Sequence, residues 1–197
     1  MRSRLDRTHI FTLSDQWNLP IGKGQHFFNC PGKILGSVIN GWQFSSILSM
    51  QTGFPVSLNT SYYYNCNHSF IPPGGASLSR YIYNDYSNGT KLGCFSAIPE
   101  YALKNLPDRL STLRQPTIPN LDATLQKSFP LTKRYRLTFR ADAFNLTNSV
   151  LFPGPNNNPA DGPPTQQGDG SYTGFGTVKL NQQNFPRILQ VALKLAF

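Results

Sequence analysis

The side chains able to do chemistry are scattered along the 197 residues. Asp6, Asp15, Asp85, Asp108, Asp122 and Asp142 are dispersed, and no nucleophile and base stand at a spacing that suggests covalent or acid–base catalysis. Gly-x-Ser-x-Gly, His-Glu-x-x-His and phosphate-loop motifs do not occur. Gly22-Lys23-Gly24 looks like part of a phosphate loop. It lacks the leading glycine spacing and the following Ser or Thr, so it reads as a turn. His9, His26 and His68 lie far apart and there is no Cys-x-x-Cys pair, which argues against zinc. No cofactor and no catalytic activity are expected. Cys66 and Cys94 share one Asn/Gly/Pro/Tyr-rich segment, where a disulfide would stiffen a loop facing an oxidising compartment. Cys30 has no evident partner. Four Asn-x-Ser/Thr sequons, at Asn59, Asn67, Asn88 and Asn145, are no more than this Asn-, Ser- and Thr-rich composition yields by chance.

Composition points away from an ordinary soluble domain. Charged residues are 14% of the chain, against roughly 25% in typical soluble domains. Aromatics reach 13%, with sixteen Gly and sixteen Pro. Few charges, many rings and many turn formers describe an all-β protein with a large apolar surface. The net charge is +9, but the cations are scattered. Their densest cluster, Lys133, Arg134, Arg136 and Arg140, gives only weak support to nucleic-acid binding. No run of about 18 apolar residues exists, which excludes a membrane helix but not a barrel. Residues 1–9 hold no apolar core and so no signal peptide. Beside the strand pattern, this leads to the expectation that an N-terminal part is missing.

Period-two alternation predicts the elements that must position any site. Strands are expected near 9–19, 42–58, 119–129, 134–146 and 187–197, with a short extra strand at 174–181. In the first, Phe11, Leu13, Trp17 and Leu19 share one face, which Asp15 interrupts. In the second, Trp42, Phe44, Leu48, Met50, Phe54, Val56 and Leu58 alternate with polar neighbours, and Pro55 suggests that the strand bends or loses pairing near its end. In the third, Leu121, Ala123, Leu125 and Phe129 alternate with Asn120, Asp122, Thr124, Gln126 and Ser128. A tight turn at 130–133 leads to Tyr135, Leu137, Phe139, Ala141 and Ala143, so these two strands read as an antiparallel hairpin. The segments 59–118 and 147–186 read as long loops. Soluble domains seldom carry structureless loops beyond about 15 residues, whereas outer-membrane barrels join strands by short turns on one side and long loops on the other. The strand cores, roughly 9–11 residues, are long enough to span a bilayer at a tilt. Trp17, Trp42, Phe129, Tyr135 and Phe197 sit near strand ends, where interfacial girdles would place them. A soluble secreted β-sandwich that binds carbohydrate is the alternative, since it shows the same alternation.

Specific stretches decide between them. Leu189, Val191, Leu193 and Leu195 precede a terminal Phe197, and this ending resembles the C-terminal insertion signal of outer-membrane barrels. The assembly machinery reads that signal as an unpaired strand by β-augmentation. Five stretches, in order, resemble the end of TonB-dependent receptors of the Oar-like kind, which carry a carboxypeptidase-regulatory-like domain. They are His9-Ile10-Phe11 leading to Leu19-Pro20-Ile21-Gly22-Lys23-Gly24; Gly41-Trp42-Gln43-Phe44-Ser45; Gln51-Thr52-Gly53-Phe54-Pro55; Phe139 to Asn148; and Phe185-Pro186-Arg187 leading to the last strand. The resemblance implies an antiparallel meander forming part of a transmembrane β-barrel, incomplete at about five strands, in the Gram-negative outer membrane. It implies a periplasmic C-terminus, extracellular loops at 59–118 and 147–186, and uptake of a bulky ligand by the parent. Partners would be lipid, the assembly machinery, the remainder of the barrel, and TonB through the absent N-terminal part. Asp122, Arg136, Arg140 and Asp142 would then face the lumen, with Arg136 and Arg140 able to pair with Asp122 and Asp142 across strands. Loop aromatics (Tyr62, Tyr63, Tyr64, Phe70, Tyr81, Tyr83, Tyr86) could stack on a sugar or ring, although tyrosines also pack ordered loops.

Overall fold

The computed structural model describes residues 3, 5–22, 24–27 and 33–197. Lys23 and Cys30 lie outside them. In chain order the strands are β1 (Ile10–Asn18), β2 (Trp42–Gln51), β3 (Pro55–Ser57), β4 (Tyr62–Tyr64), β5 (Phe95–Ala97) and β6 (Arg109–Arg114). They continue with β7 (Ile118–Pro130), β8 (Arg136–Phe144), β9 (Thr165–Gln166), β10 (Tyr172–Thr173) and β11 (Ile188–Ala196). One short α-helix, α1 (Lys33–Ile39), lies between β1 and β2. No helix among the described residues is long and apolar enough to cross a membrane.

The chain forms two compact units. The sheet unit comprises Ile10–Met50, Pro119–Ser149 and Phe185–Phe197; the loop unit comprises Met1–His9, Gln51–Ile118 and Val150–Asn184. The sheet unit holds a five-stranded sheet in the order β1-β2-β7-β8-β11. This is a meander, each strand pairing with its neighbours in the sheet's sequence order. The strand positions follow the alternation, with ends shifted by one or two residues. The exception is the strand expected over 42–58. It stops at Gln51, and β3 instead pairs with β6 in the loop unit. Pro55 lacks the amide a continuous ladder needs, and a Cβ on Gly53 would overlap the Gln115 carbonyl.

The loop unit is more than a pair of surface loops. Its core includes Val56, Leu58, Ile82, Cys94, Phe95, Leu110, Phe175 and Val178, all buried. Phe95 lies 5.1 Å from both Tyr64 and Phe175, so three distant stretches meet at one ring cluster. The strand expected at 174–181 is absent, because Gly174 (φ +107°) and Gly176 (φ +77°) turn the chain there. Gly176 accepts the Tyr81 amide at 2.6 Å and donates to the Asn156 carbonyl at 2.8 Å. A Cβ at Gly176 would overlap the Ile82 carbonyl. Gly176→Ala should therefore cost at least about 2 kcal/mol through strain and displacement. Hydrogen exchange at Ile82 and Phe175 in the intact chain should report it; unchanged protection would show that the turn relaxes freely.

Candidate functional site

The register of the last three long strands sorts the side chains into two faces. Leu189, Val191, Leu193 and Leu195 on β11 lie opposite Ala143, Ala141, Phe139 and Leu137 on β8. Those in turn face Ala123, Leu125, Lys127 and Phe129 on β7. This face is apolar except for Lys127. The other face carries Gln190, Lys194, Asp142, Arg140, Thr138, Arg136, Thr124, Gln126 and Ser128. On the first two strands, Trp17 and Phe44 pack at 6.5 Å on the apolar side, and Asn18 and Gln43 pair on the polar side. Asp15, which interrupts the alternation, accepts a 2.5 Å hydrogen bond from Ser46, so the polar break on β1 is matched on β2.

Burial in the sheet unit is inverted relative to a soluble core. The buried hydrophobic residues among those described all belong to the loop unit; in the sheet unit the buried side chains are Lys127, Asp142 and Asn145. Leu189, Val191, Leu193 and Leu195 are each more than half exposed. Phe44, Leu125 and Phe139, on the central strands, are only half-buried. A sandwich would cover this face with a second sheet. Here the apolar face is left for solvent of another kind, and the soluble alternative does not fit it.

The polar face forms a recess of about 440 Å³ whose lining includes Ser14, Gln16, Ser45, Asp122, Thr124 and Arg140. Arg140 Nε donates to both oxygens of Asp142, at 2.8 and 3.0 Å, and Thr124 adds a 2.6 Å bond. The pair expected between Arg140 and Asp142 therefore forms, but along one strand. Asp122 takes no part in it. One of its oxygens accepts the Asn145 amide at 2.9 Å and the other accepts from Asn120 at 3.1 Å. Arg136 is exposed on the same face, opposite Pro130. Gln126 and Gln43 bridge β7 and β2.

In the sequence Asn145 stands out only as a sequon and as part of the Phe139 to Asn148 stretch. Its side chain donates to the carbonyls of Ser149 (3.0 Å) and Phe185 (3.1 Å), and accepts the Ser149 amide (2.9 Å). Its backbone is left-handed at φ +49°, which asparagine tolerates better than most residues. It thus ties the exit of β8 to the approach of β11. Its amide is committed to main chain, so the sequon there is incidental.

One end of the sheet gathers the rings. β1 ends beside the start of β2, where Leu19 donates to the Trp42 carbonyl at 2.9 Å. β7 ends and β8 begins at the turn closed by Leu131 and Tyr135. Antiparallel order therefore brings Trp17, Trp42, Phe129, Tyr135 and Phe197 to the same end. Such a belt is the mark of a membrane–water boundary.

In the loop unit, Cys66 and Cys94 are joined, with Cα atoms 5.5 Å apart. The loop aromatics divide into two groups. Tyr64, Phe70 and Tyr81 are committed to packing: Tyr64 lies 4.7 Å from Phe70, and the Tyr81 hydroxyl donates to the Arg114 carbonyl at 2.6 Å. Burial pushes the Tyr64 and Tyr81 hydroxyls above their usual pKa. Tyr62 also packs, edge-on to Phe95. Tyr83 and Tyr86 instead line a recess of about 380 Å³ with Arg80, Asp85 and Pro164. A second recess of about 410 Å³ shares Arg80 and Pro164 and adds Tyr172. The Ser87 amide and hydroxyl, helped by His68 at 3.5 Å, hold the Asp85 carboxyl below the usual carboxylate range. Asp85 is therefore anionic at neutral pH.

An antiparallel meander with an uncovered apolar face, a polar opposite face and an aromatic belt is the wall of a membrane β-barrel. The family model described as outer membrane beta barrel domain matches residues 1–190, and the chain belongs to that family. It is an outer-membrane protein. Neither the curated proteins nor the solved structures include a match to it.

Proposed function

We propose that the chain is the C-terminal part of the barrel of a TonB-dependent receptor of the Oar-like kind, whose parent takes up a bulky ligand across the outer membrane. The reading assigns binding and passage, and no chemical step. It is supported by the ordered run of family-like stretches from His9 to Arg187. The observation that carries it is the inequality of the connections. One end of the wall has the tight turn after Pro130 and the segment 20–41. The connections that leave the opposite strand ends are long, and they fold into a unit with its own core and two tyrosine-bearing recesses. On this reading the long connections capture ligand outside the cell, and the turn end and Phe197 are periplasmic. The assembly machinery recognises β11, and TonB energises the parent. Five strands are too few to close such a barrel, so the 197 residues alone are not expected to transport.

Two experiments test it. Loss of the gene should abolish energised uptake of one bulky ligand, as loss of TonB does, and Tyr83→Ala with Tyr86→Ala in the parent should weaken capture while leaving assembly intact. Uptake unchanged by gene loss would overturn the receptor reading. Residues 1–197 placed behind a signal peptide should fail to yield a heat-modifiable monomer; recovery of a stable one would overturn the fragment reading.

A further inference from the structure

Lys127 breaks the apolar row of β7. It stands between Leu125 and Phe129 and opposite Phe139 on β8. A cation on the lipid face of a barrel is destabilising, yet Lys127 is only 2% exposed. The end of α1 covers it. Lys127 Nζ donates to the carbonyls of Ser37 at 2.6 Å and Val38 at 2.7 Å. These belong to the last helical turn, and a cation complements that end of the helix dipole. Trp42 Nε1 donates to the same Val38 carbonyl at 2.9 Å. The ammonium also lies 4.8 Å from the centre of the Phe129 ring and 5.5 Å from that of Trp42, within cation–π reach. Two side chains of the apolar face therefore hold one helix end. The C-terminal turn of α1 must lie on the apolar side of the sheet, away from the polar recess.

We infer that α1 is an interfacial element, seated on the lipid side of the wall and immersed at the headgroup–acyl boundary of a phospholipid leaflet, with Lys127 as its positioning residue. The inference rests on the barrel-wall reading and on the turn end being periplasmic, where the leaflet is phospholipid. Its level in the membrane follows from its neighbours. Trp42, which holds it, belongs to the aromatic belt with Trp17, Phe129, Tyr135 and Phe197. Val38 presents an apolar side chain that is 55% exposed at that level, and Leu131 at the adjoining turn is 57% exposed. Apolar groups of this kind are stable in a boundary layer and poorly placed in water. Lys127 both fixes the helix and is shielded by it, so neither can face lipid alone.

The test is depth measurement by nitroxide labelling of the parent barrel in vesicles of phosphatidylethanolamine and phosphatidylglycerol, with Cys30→Ser, any other free cysteine replaced and the Cys66–Cys94 bridge kept oxidised. A label at Val38→Cys should show the oxygen-favoured accessibility of a site about 5–10 Å below the headgroup plane. A label at Leu193→Cys, in the apolar row of β11, should report lipid. Lys127→Met, which keeps the length and loses the donors, should move the Val38 label to water while Leu193 stays in lipid and strand content is unchanged. Trp42→Phe should give a smaller shift in the same direction. A water-exposed Val38 label beside a lipid-exposed Leu193 label overturns the inference and leaves the wall reading standing. A Val38 label unmoved by Lys127→Met removes Lys127 as the positioning residue. A water-exposed Leu193 label overturns the wall reading, and the inference falls with it.

Discussion

Val191→Arg should lower the stability of the lipid-inserted wall by about 2–4 kcal/mol, whereas Gln190→Arg, one residue earlier, should cost little. The contrast follows from the pleat. Val191 lies near the middle of β11, opposite Ala141, on the apolar face. An arginine there, at mid-height in the hydrocarbon, finds no nearby acceptor. Gln190 lies opposite Asp142 on the polar face. An arginine there would meet a carboxylate already engaged by Arg140 and Thr124 and would stay hydrated. Urea titration of the parent barrel folded into lipid vesicles measures both variants. Equal losses would mean that the two faces are not differently solvated, and a larger loss for Gln190→Arg would mean that the faces are reversed.

Opening the Cys66–Cys94 bridge should destabilise the loop unit by about 3.5 kcal/mol. That follows from the chain entropy of a closed loop of this size, given the sequence separation of 28. The bridge extends the short β4–β5 pairing, in which Tyr62, Tyr63 and Tyr64 face Ala97, Ser96 and Phe95. Asn65 continues that ladder by donating its amide to the Cys94 carbonyl at 2.9 Å. Cys94 is itself buried in the core that also holds Tyr64, Phe95 and Phe175. The chain from 67 to 93 carries most of the recess residues, so its protection should fall first. Limited proteolysis with and without reductant, and hydrogen exchange of a Cys66→Ala, Cys94→Ala variant, provide the readout. Equal protection in the oxidised and reduced chains would show that the core alone holds the recess.

Much of the wall was legible because a membrane strand and a half-buried soluble strand share the same two-residue period. Alternation located β1, β2, β7, β8 and β11 and separated Arg140 and Asp142 from Leu137 and Phe139. It could not show where 42–58 breaks, since Phe54, Val56 and Leu58 keep the period while leaving the sheet for another unit. The loop unit was illegible for a different reason. Tyr64, Ile82, Phe95 and Phe175 have no common spacing; they meet through long-range contacts that a bridge and several positive-φ glycines permit. Lys127 went unremarked because the residues on either side of it on that face fit the pattern. Only the helix end above it explains its presence.

The five-strand meander also carries an arithmetic of direction. With five antiparallel strands in the order β1-β2-β7-β8-β11, the two outermost strands run the same way. Bringing the β1 and β11 edges together, or joining β11 of one copy to β1 of the next, would create a parallel seam. Bacterial single-chain barrels are antiparallel throughout and even in strand number. Whatever completes this wall must therefore supply an odd number of strands, and both of its flanking strands must run opposite to β1 and β11. A ring of identical five-stranded pieces fails that condition at every joint. The other part of the wall must differ from this one in sequence and in the direction of its edge strands, while sharing its odd strand count.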